Sequence, residues 1–383
     1  MGREVRPRAR RISPRPALPG HILSPMLRSI PVLRLLVIMG LLFGLFRPAI
    51  APGPPDVPPA TPPGSERAQP APEKDADGGG IHGKRGIHLS FYALARPGLA
   101  EAVAERLREA GLNAVVICVK DMHGTVGYGS QVPLAREIGA AYPYIKLPDL
   151  IDFFRSRGFY VIARQVLFYD PILSKYLGYP GGKWVYPSDG RAVEYNLAIA
   201  RELEALGFDE IQFDYIRFPD DGEIGEEYPE RYAAVNAFLK RAREELSMPI
   251  SIDLFGRVLW PWNKEKKDPI GQCLEEMAPF VDVISPMLYP SHYVEPELKA
   301  DPYRTVKLAL THGMSRVAVP FRPYLQAFEM DIPPGMALPE YILAQVRAAE
   351  EMGADGYLFW NPRSDYAHLW EALSRGSGGG PQP

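Results

Sequence analysis

Gly207-Phe208-Asp209-Glu210-Ile211-Gln212-Phe213-Asp214-Tyr215-Ile216-Arg217-Phe218-Pro219 reads as one strand fed by the helix before it. Helical spacing over Val193–Leu206 stops at Gly207, the residue type that most readily takes the left-handed conformation closing a helix. Strand side chains alternate between faces, so Ile211, Phe213 and Tyr215 share one side and Gln212 and Asp214 the other. The apolar side is expected to pack on helices. Asp214 then points to the inner side, near the C-terminal end of its strand.

The same rhythm extends in both directions. Upstream, strands are expected at Gly86–Tyr92, Asn113–Asp121 and Tyr160–Phe168, with helices at Leu99–Ala110, near Leu147–Arg157 and at Val193–Leu206. Downstream, strands at Pro249–Phe255, Val281–Tyr289, Arg316–Pro323 and Gly356–Asn361 alternate with further helices. Those helices are Glu230–Leu246, a short one near Ile270–Ala278, Pro302–Thr311, Pro339–Met352 and Ser364–Leu373. Gly111, Gly158, Gly207 and Gly353 each stand where a helix gives way to a strand. With Glu210–Phe218 the count is eight units over residues 86–374, which suits a (β/α)8 TIM barrel. A doubly wound open sheet would carry a glycine-rich phosphate loop after an early strand, and the sequence has none.

Barrel chemistry gathers at the C-terminal ends of the strands. Those ends offer Lys120-Asp121, Arg164-Gln165, Asp214 to Arg217, Asp253, the run Tyr289-Pro290-Ser291-His292-Tyr293, Arg322 and Trp360-Asn361. Alternation turns Ser251 and Asp253 inward on the fifth strand, beside Asp214 on the fourth. Buried carboxylates are costly unless paired or hydrogen-bonded, so two on neighbouring strands are the strongest chemical signal in the chain. Carboxyl groups ~5–5.5 Å apart suit a retaining glycosidase and ~6.5–9.5 Å an inverting one. Strands ~4.8 Å apart allow either separation. One aspartate would be ionised, while burial and its neighbour's charge would keep the other protonated. The competing structural reading is an ion pair between Asp214 and Arg217. Trp184, Tyr186, Trp260, Trp262, Tyr289, Tyr293, Tyr324 and Trp360 gather near the same strand ends, and rings with polar edges suit sugars.

Other chemistries find little support. The seven histidines form no His-x-x-x-His or His-Glu-x-x-His pair, so no metal site and no cofactor are expected. No Gly-x-Ser-x-Gly elbow or Walker-type loop occurs. Of the two cysteines, Cys118 lies in an apolar run and reads as a buried, inert thiol. Residues 1–34 hold eight Arg and one Glu, a net of +7, which leaves −10 for the rest of a chain whose formal total is −3. A mildly acidic main domain is a poor generic nucleic-acid partner.

The basic head has its own explanation. Residues 35–46 are twelve apolar residues without a charge, short of the ~20 needed for a membrane span but suited to a signal peptide. Ala49-Ile50-Ala51 supplies a cleavage pattern, and an uncleaved membrane anchor is the alternative. Met26 would start a more compact signal. Ten prolines between Arg47 and Pro72 make residues 47–80 a disordered, extended linker. The tail at residues 375–383 is Gly/Pro-rich and expected to be flexible.

The strand that opens this section resembles the signature of a bacterial family of glycoside hydrolases long catalogued as a domain of unknown function. Val119-Lys120-Asp121, Tyr160-Val161-Ile162-Ala163-Arg164, Ile252-Asp253-Leu254-Phe255-Gly256 and Ser285 through Tyr293 carry the likeness further, over nearly all of Gly86–Leu373. The resemblance implies a TIM barrel related to carbohydrate-active enzymes, with a fourth-strand aspartate, here Asp214, as nucleophile. The reading is an extracytoplasmic glycoside hydrolase acting on a polysaccharide or oligosaccharide, with Asp214 and Asp253 catalytic. Arg164, Arg217, Tyr289, His292, Arg322, Trp360 and Asn361 would bind substrate, and Asp121 is a reserve acid. The alternative is a non-catalytic carbohydrate-binding or structural barrel at the cell envelope.

Overall fold

The computed structural model describes residues 80–220 and 228–376. The expectations for the basic head, the apolar segment, nearly all of the Pro-rich linker and the end of the tail fall outside the described residues. Eight parallel strands form the barrel: β1 Lys84–Ser90, β2 Ala114–Lys120, β3 Tyr160–Val166, β4 Glu210–Asp214, β5 Ile250–Phe255, β6 Val283–Met287, β7 Tyr324–Gln326 and β8 Gly356–Trp360. Each pairs with the next, and β1 closes the ring against both β8 and β2. The principal helices are α1 Leu99–Glu109, α2 Leu147–Arg155, α3 Gly190–Leu206, α4 Pro229–Glu245, α5 Leu274–Met277, α6 Pro302–Met314, α7 Leu338–Glu351 and α8 Ala367–Gly376. The four glycines expected between helix and strand all have positive φ, and Gly207, at 90°, caps α3.

Alternation sorts the strands into two cores. Val115, Ile117, Ile211, Phe213 and Ile252 belong to the large core between strands and helices. Ala114, Val116, Ile162 and Leu358 form a smaller cluster on the inner side. Burying a side chain such as Phe213 contributes roughly 1.5–3 kcal/mol. A one-residue slip of β4 would exchange it with Gln212, so the register is strongly fixed. Gln212 itself is buried among polar partners, accepting from the Tyr324 hydroxyl at 2.6 Å and donating to Ser285 Oγ at 3.3 Å.

Two stretches depart from expectation. The seventh strand was expected at Arg316–Pro323, yet the ladder of β7 begins only at Tyr324. Pro320 and Pro323 have no N–H to donate, so the preceding segment makes only an isolated bridge between Phe321 and Ile284. Their carbonyls still accept from Ile284 and Leu358, which keeps the ring of strands joined there. The helix expected near Ile270–Ala278 shrinks to α5, because Pro269 and Gly271 (φ 77°) interrupt its first turn. Beyond β2, a strand at Val126–Tyr128 turns back antiparallel, and a second at Ala141–Ile145 runs parallel to it. A register shift between Cys118 and Lys120 accompanies this excursion. Lys120 leaves the mouth and is buried outside the barrel, with its ammonium 2.8 Å from Asp170.

Candidate active site

The last paired residues of β4 and β5 are Gln212 with Ser251 and Phe213 with Ile252. Asp214 and Asp253 are the next pair along that register, both on the inner face and both nearly inaccessible, at 4% and 2% exposure. Arg164 on β3 reaches between them. Its Nη2 pairs with Asp214 Oδ2, and its Nε lies 3.6 Å from Asp253 Oδ2. The second oxygen of Asp214 accepts the Tyr215 N–H at 2.6 Å, whereas Oδ1 of Asp253 has no hydrogen-bond partner among the described residues. Two carboxylates therefore share one guanidinium. Burial first, and the Asp214 charge second, push the Asp253 carboxyl well above the usual range, against the pull of Arg164. Burial opposes the charge on Arg164, but Asp214, Cys118 and Asp253 around it raise its pKa.

Tyr215, directly after Asp214, has φ 52°, a conformation that a bulky residue adopts at a cost of order 1–3 kcal/mol. Backbone bonds from Leu167 N–H to the Asp214 carbonyl (2.9 Å) and from Phe168 N–H to the Tyr215 carbonyl (3.3 Å) hold the turn. The strained residue ends the strand and brings its own N–H onto the Asp214 carboxylate. The alternative Asp214–Arg217 pair does not form. Arg217 instead donates to the Phe218 carbonyl and to Asp220 (3.2 Å), with its guanidinium stacked over Trp184, Tyr215 and Phe255 at 4.7, 5.1 and 4.4 Å.

A cavity of about 790 Å³ opens above the pair, within the usual range for a ligand site. Arg164, Asp214, Arg217, Asp253, Tyr289, His292 and Trp360 all line it, so seven of the expected site residues converge. Tyr289 and Trp360 stack with centroids 5.5 Å apart and planes at 22°. Trp260, Trp262, Tyr293 and Tyr324 join them. Trp184 and Tyr186 do not: the first lies under Arg217 and the second stacks on Phe218. Burial, then the charge of Lys299, lowers the pKa of His292.

Three expected site residues stand elsewhere. Arg322 is fully buried in the barrel interior, paired with Glu210 at the start of β4. A guanidinium there needs a carboxylate, and Glu210 on the same inner face supplies it. Asp121 is tied up in its own loop, accepting N–H bonds from His123 and Thr125 at 2.9 and 3.1 Å. Asn361 likewise closes a turn, accepting from Arg363 N–H at 2.8 Å and donating to the Ala327 carbonyl.

One residue of the inner face, His88, went unread, and a second, Cys118, was read only as a buried, inert thiol. His88 on β1 is buried with neither ring nitrogen partnered among the described residues, and burial followed by Arg164 holds its pKa well below the usual histidine range. Ile87 and Leu89 beside it belong to the outer core, so the alternation used on β4 would have turned His88 inward. Cys118 lies 3.3 Å from Arg164 Nη1, and burial pushes its thiol up to about 11. Among the described residues, no group of three or more His, Cys, Asp or Glu is placed to hold a metal ion.

Comparison with known proteins bears on the fold and the family. No curated protein matches the chain. A hypothetical protein from Ruminiclostridium thermocellum is 31% identical over 44% of this chain and 96% of that one, with a TM-score of 0.40. The PgaB (BpsB) glycoside hydrolase domain from Bordetella bronchiseptica is 15% identical, covering 76% of this chain and 98% of its own, with a TM-score of 0.57. The endo-β-1,4-mannanase from Thermotoga petrophila is 13% identical, covering 77% and 76%, with a TM-score of 0.53. At such identities the last two likenesses establish the barrel fold. The model of a family described as "Putative glycosyl hydrolase domain" matches residues 86–366, well over half of the chain. This chain belongs to that glycosyl hydrolase family.

Proposed function

We propose that this chain is an extracytoplasmic glycoside hydrolase that cleaves a polysaccharide with Asp214 and Asp253. The observation that carries the reading is the pair itself: two inward carboxylates in register, sharing Arg164, beneath a cavity walled by Tyr289 and Trp360. Asp214, hydrogen-bonded at both oxygens by groups that favour an anion, is the carboxylate that attacks the anomeric carbon or activates water. Asp253, whose proton is retained by burial and by the charge of Asp214, donates it to the departing glycosidic oxygen. Arg164 holds the two at fixed positions. Tyr289 and Trp360 offer their faces to the sugar.

The basic head, the uncharged stretch at residues 35–46 and the Pro-rich linker support export, with the barrel held outside the cytoplasm. A fusion of residues 1–80 to a reporter active only after export tests this directly, and a cytoplasmic reporter would end it. The activity is tested by screening the purified protein against cell-wall, capsular and mannan polysaccharides, then repeating with Asp214→Asn. Loss of turnover with affinity retained supports the reading. Binding without turnover in either protein favours a carbohydrate-binding barrel instead.

A further inference from the structure

The barrel rim carries a second aromatic group that the cavity does not use. It stands at the C-terminal ends of β1 and β2, where the helix Phe91–Leu94 and the extra strands Val126–Tyr128 and Ala141–Ile145 meet. Phe91 is its buried floor, seated against Gly127. A Cβ at that glycine would fall 2.3 Å from the ring, so no larger residue admits Phe91 there. Tyr92 and Tyr144 stand over the floor, their centroids 4.3 and 5.3 Å from it, and Tyr142 lies 4.7 Å from Tyr144. Tyr92 is 45% exposed, Tyr142 58% and Tyr144 39%. With Met122 they make four of the eight exposed large apolar or aromatic side chains among the described residues, so the exposure is concentrated rather than scattered.

The chemistry of the group narrows its occupant. Its three exposed rings are all tyrosines, each with a polar edge, and the Tyr92 hydroxyl donates to Asp121 Oδ2 at 3.3 Å. A flat ring beside a phenol and a carboxylate matches the apolar face and hydroxyl rim of a sugar. Position points the same way. β1 lies between β2 and β8, and β8 sends Trp360 into the cavity on the same face of the barrel. We propose that Tyr92, Tyr142 and Tyr144 form a second, non-catalytic glycan-binding ridge that holds the polysaccharide chain outside the cleavage cavity. This rests on the reading of that cavity as a glycosidase site, and it gives Asp121 a role at the ridge rather than as an acid.

The test uses the full chain carrying Asp214→Asn, so that binding is read without cleavage, on an array of mannans, glucans, peptidoglycan and capsular polysaccharides. Adding Tyr142→Ala and Tyr144→Ala is expected to weaken retention of the bound polymer about tenfold, with Tyr142→Trp restoring most of it. Tyr142→Ala alone, at the most exposed position, guards against a folding defect. In the active protein the same changes should raise KM on the polymer while leaving turnover of a short oligosaccharide unchanged. Unaltered retention in the tyrosine variants, or no glycan retained at all, overturns the ridge. Polymer binding that depends on the tyrosines, in a protein with no hydrolytic activity, sustains the ridge and sinks the glycosidase reading. Turnover indifferent to the tyrosines does the reverse.

Discussion

The fourth strand carries two buried carboxylates on the same inner face, and they live in opposite electrostatic circumstances. Glu210, at its start, is paired with Arg322 and accepts from the Ser251 hydroxyl in a sealed interior. Asp214, at its end, shares Arg164 with a second carboxylate and faces a cavity. In the lower group one acid is paired directly with one base, and the buried Lys84 ammonium acts on both. The upper group has an acid in excess and a strained residue beside it, while among the described residues unpartnered polar atoms occur at both levels, Asp253 Oδ1 above and Glu210 Oε2 below. Balance seals the bottom of the barrel and imbalance leaves chemistry available at the top.

Substitutions at the two levels should therefore fail in different ways. Asp214→Asn is expected to lower kcat about 10³-fold with the fold intact, measured on whichever polysaccharide the screen identifies. A decrease under tenfold would mean that the two levels do not differ in kind. Arg322→Met leaves Glu210 buried without its partner and should cost about 3–5 kcal/mol, read as a lowered denaturation midpoint. Its kcat below the transition should be close to that of the parent. If instead the activity collapses while stability holds, Arg322 belongs to the catalytic level after all.

The distinction also explains what could be read in the sequence. Alternation along Ile211-Gln212-Phe213-Asp214 placed Asp214 inward, and the same rule placed Asp253 beside it, because strand periodicity is local and strand order in a barrel follows chain order. Arg322 was misplaced because facing inward does not say at what depth. Two prolines shift the ladder of the seventh strand, and the partner that holds Arg322 is 112 positions away. Asp121 and Asn361 sit at strand ends like the cavity-lining residues, but Asp121 Oδ1 and Asn361 Oδ1 each accept from the turn that follows. Arg164 was expected among the strand ends and lines the cavity there. Its bridging of the two aspartates depends on the length of a side chain reaching past its own register level, which no strand pattern encodes.

A smaller effect is expected at the cavity wall. Trp360→Ala removes the ring stacked on Tyr289 without touching either aspartate. If the ring binds ground state and transition state alike, KM should rise roughly tenfold with kcat little changed. A fall in kcat at constant KM would move Trp360 from holding the sugar to shaping the reacting geometry.

The smallest expected effect is on stability, and it isolates the imbalance itself. Asp253 has a folded-state pKa raised by burial and by Asp214 above the ~3.9 of an unfolded aspartate. The folded protein then holds a proton that the unfolded chain gives up. This contribution to stability is present in full below about pH 4 and is lost as pH rises toward the folded pKa, beyond which the loss is constant. Asp253→Asn removes the titration while keeping the shape. The variant should gain on the parent as pH rises, in thermal melts taken from pH 4 to 9. Part of that gain should disappear in an Asp214→Asn background, because the second cause of the shift is then absent. A difference that is flat with pH, or that runs the other way, would mean that Arg164 balances both aspartates, and the upper level would be a structural cluster like the lower one.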